Sequence, residues 1–163
     1  MLYTHDLFTP GGAKTGNFYF ELNRGLRNDA DPMKRWGHYL KHFTNGLAQL
    51  EDWEGTCYRG MPLKGVDLHE YSTGRQILWD GFSSSTQKLT LAKSFLTSKE
   101  DGIIFKIKVS HGKDISPYSV VRNEDEVLLD PRLRFLVSRD LYVDNEGYNC
   151  IDLVEIKSDL YKI

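Results

Sequence analysis

A chain of 163 residues has the size of one domain and can remove roughly 70% of its extended surface from water, so a core forms without disulfide or metal staples. Its 40% hydrophobic and 27% charged residues, with eight Phe, nine Tyr and three Trp, exclude a disordered or low-complexity chain. The net charge of -2 gives no general attraction to nucleic acid or to an anionic membrane, so neither is an expected partner. The longest apolar runs, such as Ile103–Phe105 and Val127–Leu129, fall far short of the ~20 residues a spanning helix needs. The start, Met1–Asp6, lacks a basic stretch followed by an apolar one, so no secretory signal is visible and the compartment stays open. The two cysteines, Cys57 and Cys150, fit no zinc spacing and are expected as buried free thiols.

In chain order, Phe18–Arg27 reads as a helix and Asn28–Pro32 as a break. A longer helix is expected from Met33 to about Leu50, where Trp36, Tyr39, Leu40, Phe43, Leu47 and Leu50 recur at spacings of three and four and form one apolar face. After Gly55 the texture changes to short β-prone runs bounded by Gly, Pro and Asp: Thr56–Arg59, Ile77–Trp79, Gly81–Thr86, Gly102–Val109, Glu126–Leu129, Arg134–Val137 and Ile151–Ile156. One helix, Leu89–Ser98, interrupts them. Helices in front and strands behind, without βαβ alternation, predict an α+β domain with largely antiparallel sheet. No repeat or linker divides it, so residues 1–163 are expected to be a single domain.

Three short features carry polar chemistry: Tyr58-Arg59-Gly60 on an early strand, Ser84-Ser85-Thr86 on a middle one, and Glu124-Asp125-Glu126 opening a later one. Taken singly, each has an ordinary meaning, namely a surface Arg before a turn Gly, a serine-rich edge strand and an acidic turn. Together and in this order the chain resembles the arginine, serine, E-x-E class of mono-ADP-ribosyltransferases, which includes the vertebrate ecto-enzymes and clostridial binary toxins. The likeness runs from about Thr15 to Ile156, taking in the Ala92 and Phe95 helix and the stretch from Glu126 to Pro131. It implies N-terminal helices packed on two mostly antiparallel sheets that form an NAD cleft.

NAD presents a pyrophosphate, two riboses and a cationic nicotinamide. Arg59 suits the phosphates, because its planar guanidinium fork matches their oxygens. Gly60, without a Cβ, lets the backbone approach the nicotinamide carboxamide. Strand alternation sends Ser84 and Thr86 to one face and Ser85 to the other, and register with Phe82 makes Ser84 the family serine that supports the second glutamate and the ribose. Phe95 is either the ring that stacks on nicotinamide or a plain core side chain. If extended, Glu124 and Glu126 project from one face. By resemblance Glu126 holds the nicotinamide ribose and stabilises the oxocarbenium-like state, while Glu124 orients and deprotonates the acceptor, with one carboxyl raised by its neighbour. Glu in the first position resembles the arginine-modifying members, so the expected acceptor is a protein arginine. Tyr118, in the loop Ile115–Asn123, is an acceptor contact or an exposed tyrosine without a role.

NAD is thus expected as a substrate, with no metal: His38 and His42 stand four apart on a helix, but no acidic residue completes a site around them. A monomer is expected. Two rival readings share these residues, an NAD glycohydrolase that uses water and an inactive module that binds a nucleotide or a protein.

Overall fold

The computed structural model describes residues 18–119 and 123–157. Two helices lead, α1 (Phe18–Asn28) and α2 (Pro32–Ala48). Seven strands follow: β1 (Trp53–Pro62), β2 (Gln76–Leu78), β3 (Ser83–Thr86), β4 (Gly102–Asp114), β5 (Glu126–Leu129), β6 (Arg134–Val143) and β7 (Asn149–Ile156). A one-turn-and-a-half helix, α3 (Leu89–Ser94), stands between β3 and β4, and short 3-10 turns occupy Leu63–Gly65, Leu68–Tyr71 and Ser116–Tyr118.

Helix α2 begins where Asp31 accepts from the Lys34 N–H and Pro32 takes a first-turn position that needs no amide. It ends two residues before Leu50, and Lys113 of β4 donates to the Leu50 carbonyl at 2.7 Å while pairing with Asp52, which ties the helix exit to the sheet. Leu22, Leu40 and Leu47 form the buried seam of the helical layer, closed by Phe82, Ile115 and Leu128. Phe82 meets Phe43 edge-on at 4.9 Å.

The strands form one hydrogen-bonded system in the order β1-β3-β5-β4-β7-β6-β2, with β1 also pairing β4. The two sheets expected from the sequence are therefore joined through β1 and β4, and β1, β3, β5 and β4 close on themselves as a small ring. All pairings are antiparallel except that of β4 with β7. The main core is built on Phe105 and Ile107 of β4, Phe135 of β6, and Ile151 and Leu153 of β7, with Cys57 of β1 among them. Strand β5 is buried on both faces: Val127 and Leu129 enter this core, whereas Leu128 enters the helical seam. That double burial explains why its sequence is a continuous apolar run.

Cys57 and Cys150 are both free and buried, as expected. Burial pushes the Cys57 thiol up to about 11, which leaves it a neutral core side chain at physiological pH. His38 and His42 are exposed on α2, with Lys34, Arg35 and Lys41 beside them. Among the described residues no helix is long and apolar enough to cross a membrane.

Candidate active site

The register of the ring brings the three motifs together. Tyr58 of β1 stands opposite Thr86 of β3, and Thr86 stands opposite Glu126 of β5. Partners across an antiparallel ladder share a face. Ser84 and Thr86 accordingly point the way Glu126 does, while Ser85 points inward and donates to the Val127 carbonyl at 2.7 Å.

Ser84 links the cation to the carboxylate. Its hydroxyl donates to Oε1 of Glu126 at 2.5 Å, and its carbonyl accepts from Nη1 of Arg59 at 2.7 Å. Arg59 also lies over the Trp79 ring at 5.9 Å, and the Trp79 indole N–H donates to the Tyr71 hydroxyl at 2.9 Å. Trp79 is seated in turn against Phe105 and Phe135. The arginine thus emerges from an aromatic bed that limits where its fork can go. Neither Trp79 nor Tyr71 was identified from the sequence; an aromatic ring alone does not reveal which side chain will lie on it.

Glu126 is 7% exposed. Burial raises its carboxyl above the ordinary glutamate range; the Ser84 hydrogen bond opposes the rise and the charge of Glu124 adds to it. The charge of one glutamate thus acts on the other at Glu126, the carboxylate assigned to NAD rather than to the acceptor, and it is secondary to burial.

The two glutamates do not sit on one extended strand. Asp125 between them has φ +41°, in the left-handed region, and Glu124 lies in the turn before β5. The turn is nevertheless fixed, because Thr86 Oγ1 donates to the Glu124 carbonyl at 2.7 Å. Tyr118 is 48% exposed in the 3-10 turn after β4, and residues 120–122 of the same loop lie outside the described residues.

Gly60 and Phe95 meet through α3. A Cβ on Gly60 would stand 2.4 Å from the Ala92 carbonyl oxygen and 3.2 Å from Leu96, so this glycine admits the helix against β1. The expected helix to Ser98 stops at Ser94 for the same packing reason: Leu96 turns in against Gly60 and Gly102, and a Ser98–Asp101 turn follows. Phe95 is left 57% exposed, beside Leu63, Leu96 and Thr97 in an open groove, so it is not a core side chain. Gly60→Ala is expected to push α3 off the sheet and destabilise the fold by about 1–3 kcal/mol, read as a lower melting temperature. An unchanged melt would mean that α3 yields without cost.

A cation, a hydroxyl and a buried carboxylate in one hydrogen-bonded line, with a second carboxylate in the adjoining turn, suit a dinucleotide with a developing positive charge. The family model of NAD:arginine ADP-ribosyltransferases matches residues 7–160. The chain is 29% identical over 126 residues, 77% of its length, to the NAD–protein-arginine ADP-ribosyltransferase Tre1 of Serratia proteamaculans, and spans 27% of that protein. It aligns with ADP-ribosyltransferase HopU1 of Pseudomonas syringae at a TM-score of 0.76 and 23% identity, covering 95% of this chain and 73% of that one. The ADP-ribosyltransferase Vis of Vibrio splendidus, solved in complex with agmatine, aligns at a TM-score of 0.67 and 22% identity over 88% of this chain and 71% of that one. Likeness to these two solved structures concerns the fold. The match of the family model across nearly the whole sequence carries the assignment: the chain belongs to the NAD:arginine ADP-ribosyltransferase family.

Proposed function

We propose that this chain, as a single catalytic domain, transfers ADP-ribose from NAD to a protein arginine and releases nicotinamide. The observation that carries the reading is the Arg59–Ser84–Glu126 line with Glu124 in the adjoining turn. Arg59 holds the pyrophosphate. Phe95 offers its exposed face to the nicotinamide, and Gly60 lies on the strand against which α3 seats that ring. Glu126, oriented by Ser84, holds the nicotinamide ribose and faces the anomeric carbon.

The bond from that carbon to the nicotinamide nitrogen breaks, its electron pair leaves with nicotinamide, and the ribose becomes oxocarbenium-like. The carboxylate charge in a buried setting stabilises this state more than it stabilises NAD. A guanidinium nitrogen of the acceptor then attacks the opposite face with inversion. Glu124 takes the proton that the nitrogen loses, and Tyr118 contacts the acceptor. The agmatine complex of Vis supports the acceptor class, since agmatine ends in the guanidinium that arginine carries.

Incubation with labelled NAD and poly-arginine tests the reading. Labelled polymer, with nicotinamide released in equal amount and the label removed by hydroxylamine, is the expected result. Rapid nicotinamide release with unlabelled polymer would instead assign a glycohydrolase.

A further inference from the structure

The segment Thr86–Lys88 joins β3 to α3, and each of its residues also reaches the turn that carries Glu124. The Thr86 hydroxyl donates to the Glu124 carbonyl and accepts from the Lys88 N–H at 3.1 Å. The Gln87 N–H donates to the Asp125 carbonyl at 3.0 Å, and Gln87 Nε2 donates to Asp114 Oδ2 at 3.3 Å, at the far end of the same loop. Lys88 Nζ lies 2.5 Å from Asp125 Oδ2. The Ile115 N–H, donating to the Glu126 carbonyl at 3.0 Å, draws the loop ends together.

Asp125 is the only non-glycine with positive φ among the described residues. Asp and Asn tolerate that conformation better than most side chains, and it persists where the surroundings over-determine it. Here the surroundings are the Gln87 amide on its carbonyl and the Lys88 ammonium on its carboxylate.

Resting on the function proposed above, we propose that Lys88 is a positioning residue. With Thr86 and Gln87 it holds the Asp125 turn, and through that turn it sets where Glu124 stands relative to Glu126. It thereby sets the share of NAD cleavage events that end on a guanidinium rather than on water. The Lys88 and Asp125 side chains are 56% and 34% exposed, and exposed ion pairs add little to stability. Losing this pair therefore loosens a turn without unfolding the domain. Glu126 is held separately, by β5 pairing and by Ser84, neither of which involves Lys88.

The test is Lys88→Met in the full chain, with nicotinamide release and labelling of agmatine measured side by side. The ratio of labelling to release is expected to fall about tenfold while release stays within about twofold of wild type. Lys88→Arg should restore the ratio. Asp125→Asn, whose amide oxygen still accepts from the ammonium but carries no charge, should reproduce part of the loss, and the double variant should fall no further than Lys88→Met, because both changes act on one interaction. A wild type that labels agmatine and a Lys88→Met variant that does so in the same ratio overturn the positioning role and leave the transferase reading intact. A parallel fall in release and labelling also overturns it, since that pattern marks damage to the NAD site. A wild type that releases nicotinamide but never labels agmatine overturns the transferase reading, and the acceptor role of Lys88 with it.

Discussion

Glu126→Gln is expected to cut nicotinamide release and arginine labelling together, by roughly 10²–10³-fold, the scale seen when one preorganised group is withdrawn from a transition state. The amide keeps the shape of the side chain and still accepts the Ser84 hydroxyl, so the loss isolates the charge. The same variant should melt higher at neutral pH. In the wild type, burial above all, helped by the charge of Glu124, raises the Glu126 carboxyl against the pull of the Ser84 hydrogen bond. A raised folded value means that the folded chain keeps a proton the unfolded chain has released. The contribution of Glu126 to stability is therefore fully present below the ordinary glutamate range and is lost as pH rises through the raised value. The stability gain of Glu126→Gln should accordingly shrink as pH falls through that value, read from melting curves at about 2–4 °C per kcal/mol for a chain of this size. Wild-type nicotinamide release by this variant would refute the site.

Glu124→Ala should separate the two half-reactions. Labelling of poly-arginine is expected to fall by roughly 10²–10⁴-fold, the usual worth of a positioned base, while nicotinamide release continues. The separation follows from the geometry. The backbone of Glu124, not its carboxylate, accepts the Thr86 hydroxyl, so the turn survives the substitution. Glu126 would lose a like charge nearby and none of its hydrogen bonds. Equal loss of release and labelling would show that Glu124 belongs to NAD binding.

The strands around Phe105, Leu128 and Leu153 were legible because β-branched and apolar runs bounded by Gly, Pro and Asp have few other uses in a domain of this size. Helix α2 was legible from its one-sided Leu and aromatic spacing. The end of α3 was not, because Leu96 turns inward only once Gly60 and Gly102 are in place to receive it. Strand parity separated Ser84 from Ser85 and the register with Phe82 chose Ser84; in the structure Ser84 donates to Glu126 and Ser85 turns inward to the Val127 carbonyl. Parity failed at Glu124, where an aspartate rather than a glycine adopts the left-handed conformation and breaks the alternation. The partnership of Lys88 with Asp125 had no signal at all, since charged residues far apart in sequence say nothing about which of them will meet.

The ring formed by β1, β3, β5 and β4 bears on how the protein behaves at high concentration. An open sheet offers two unpaired margins, each a template on which another chain can add a strand and start a fibre. Among the described strands, closure through β1 and β4 leaves β2 as the terminal member, and β2 has three residues. The strand that carries Arg59 commits its backbone mainly to β4, and the strands that carry Ser84 and Glu126 commit theirs to each other. The margin that remains is the outer side of β6 beyond Val137, because β2 pairs only with Arg134–Leu136 of that ten-residue strand, and it is there that another chain would add.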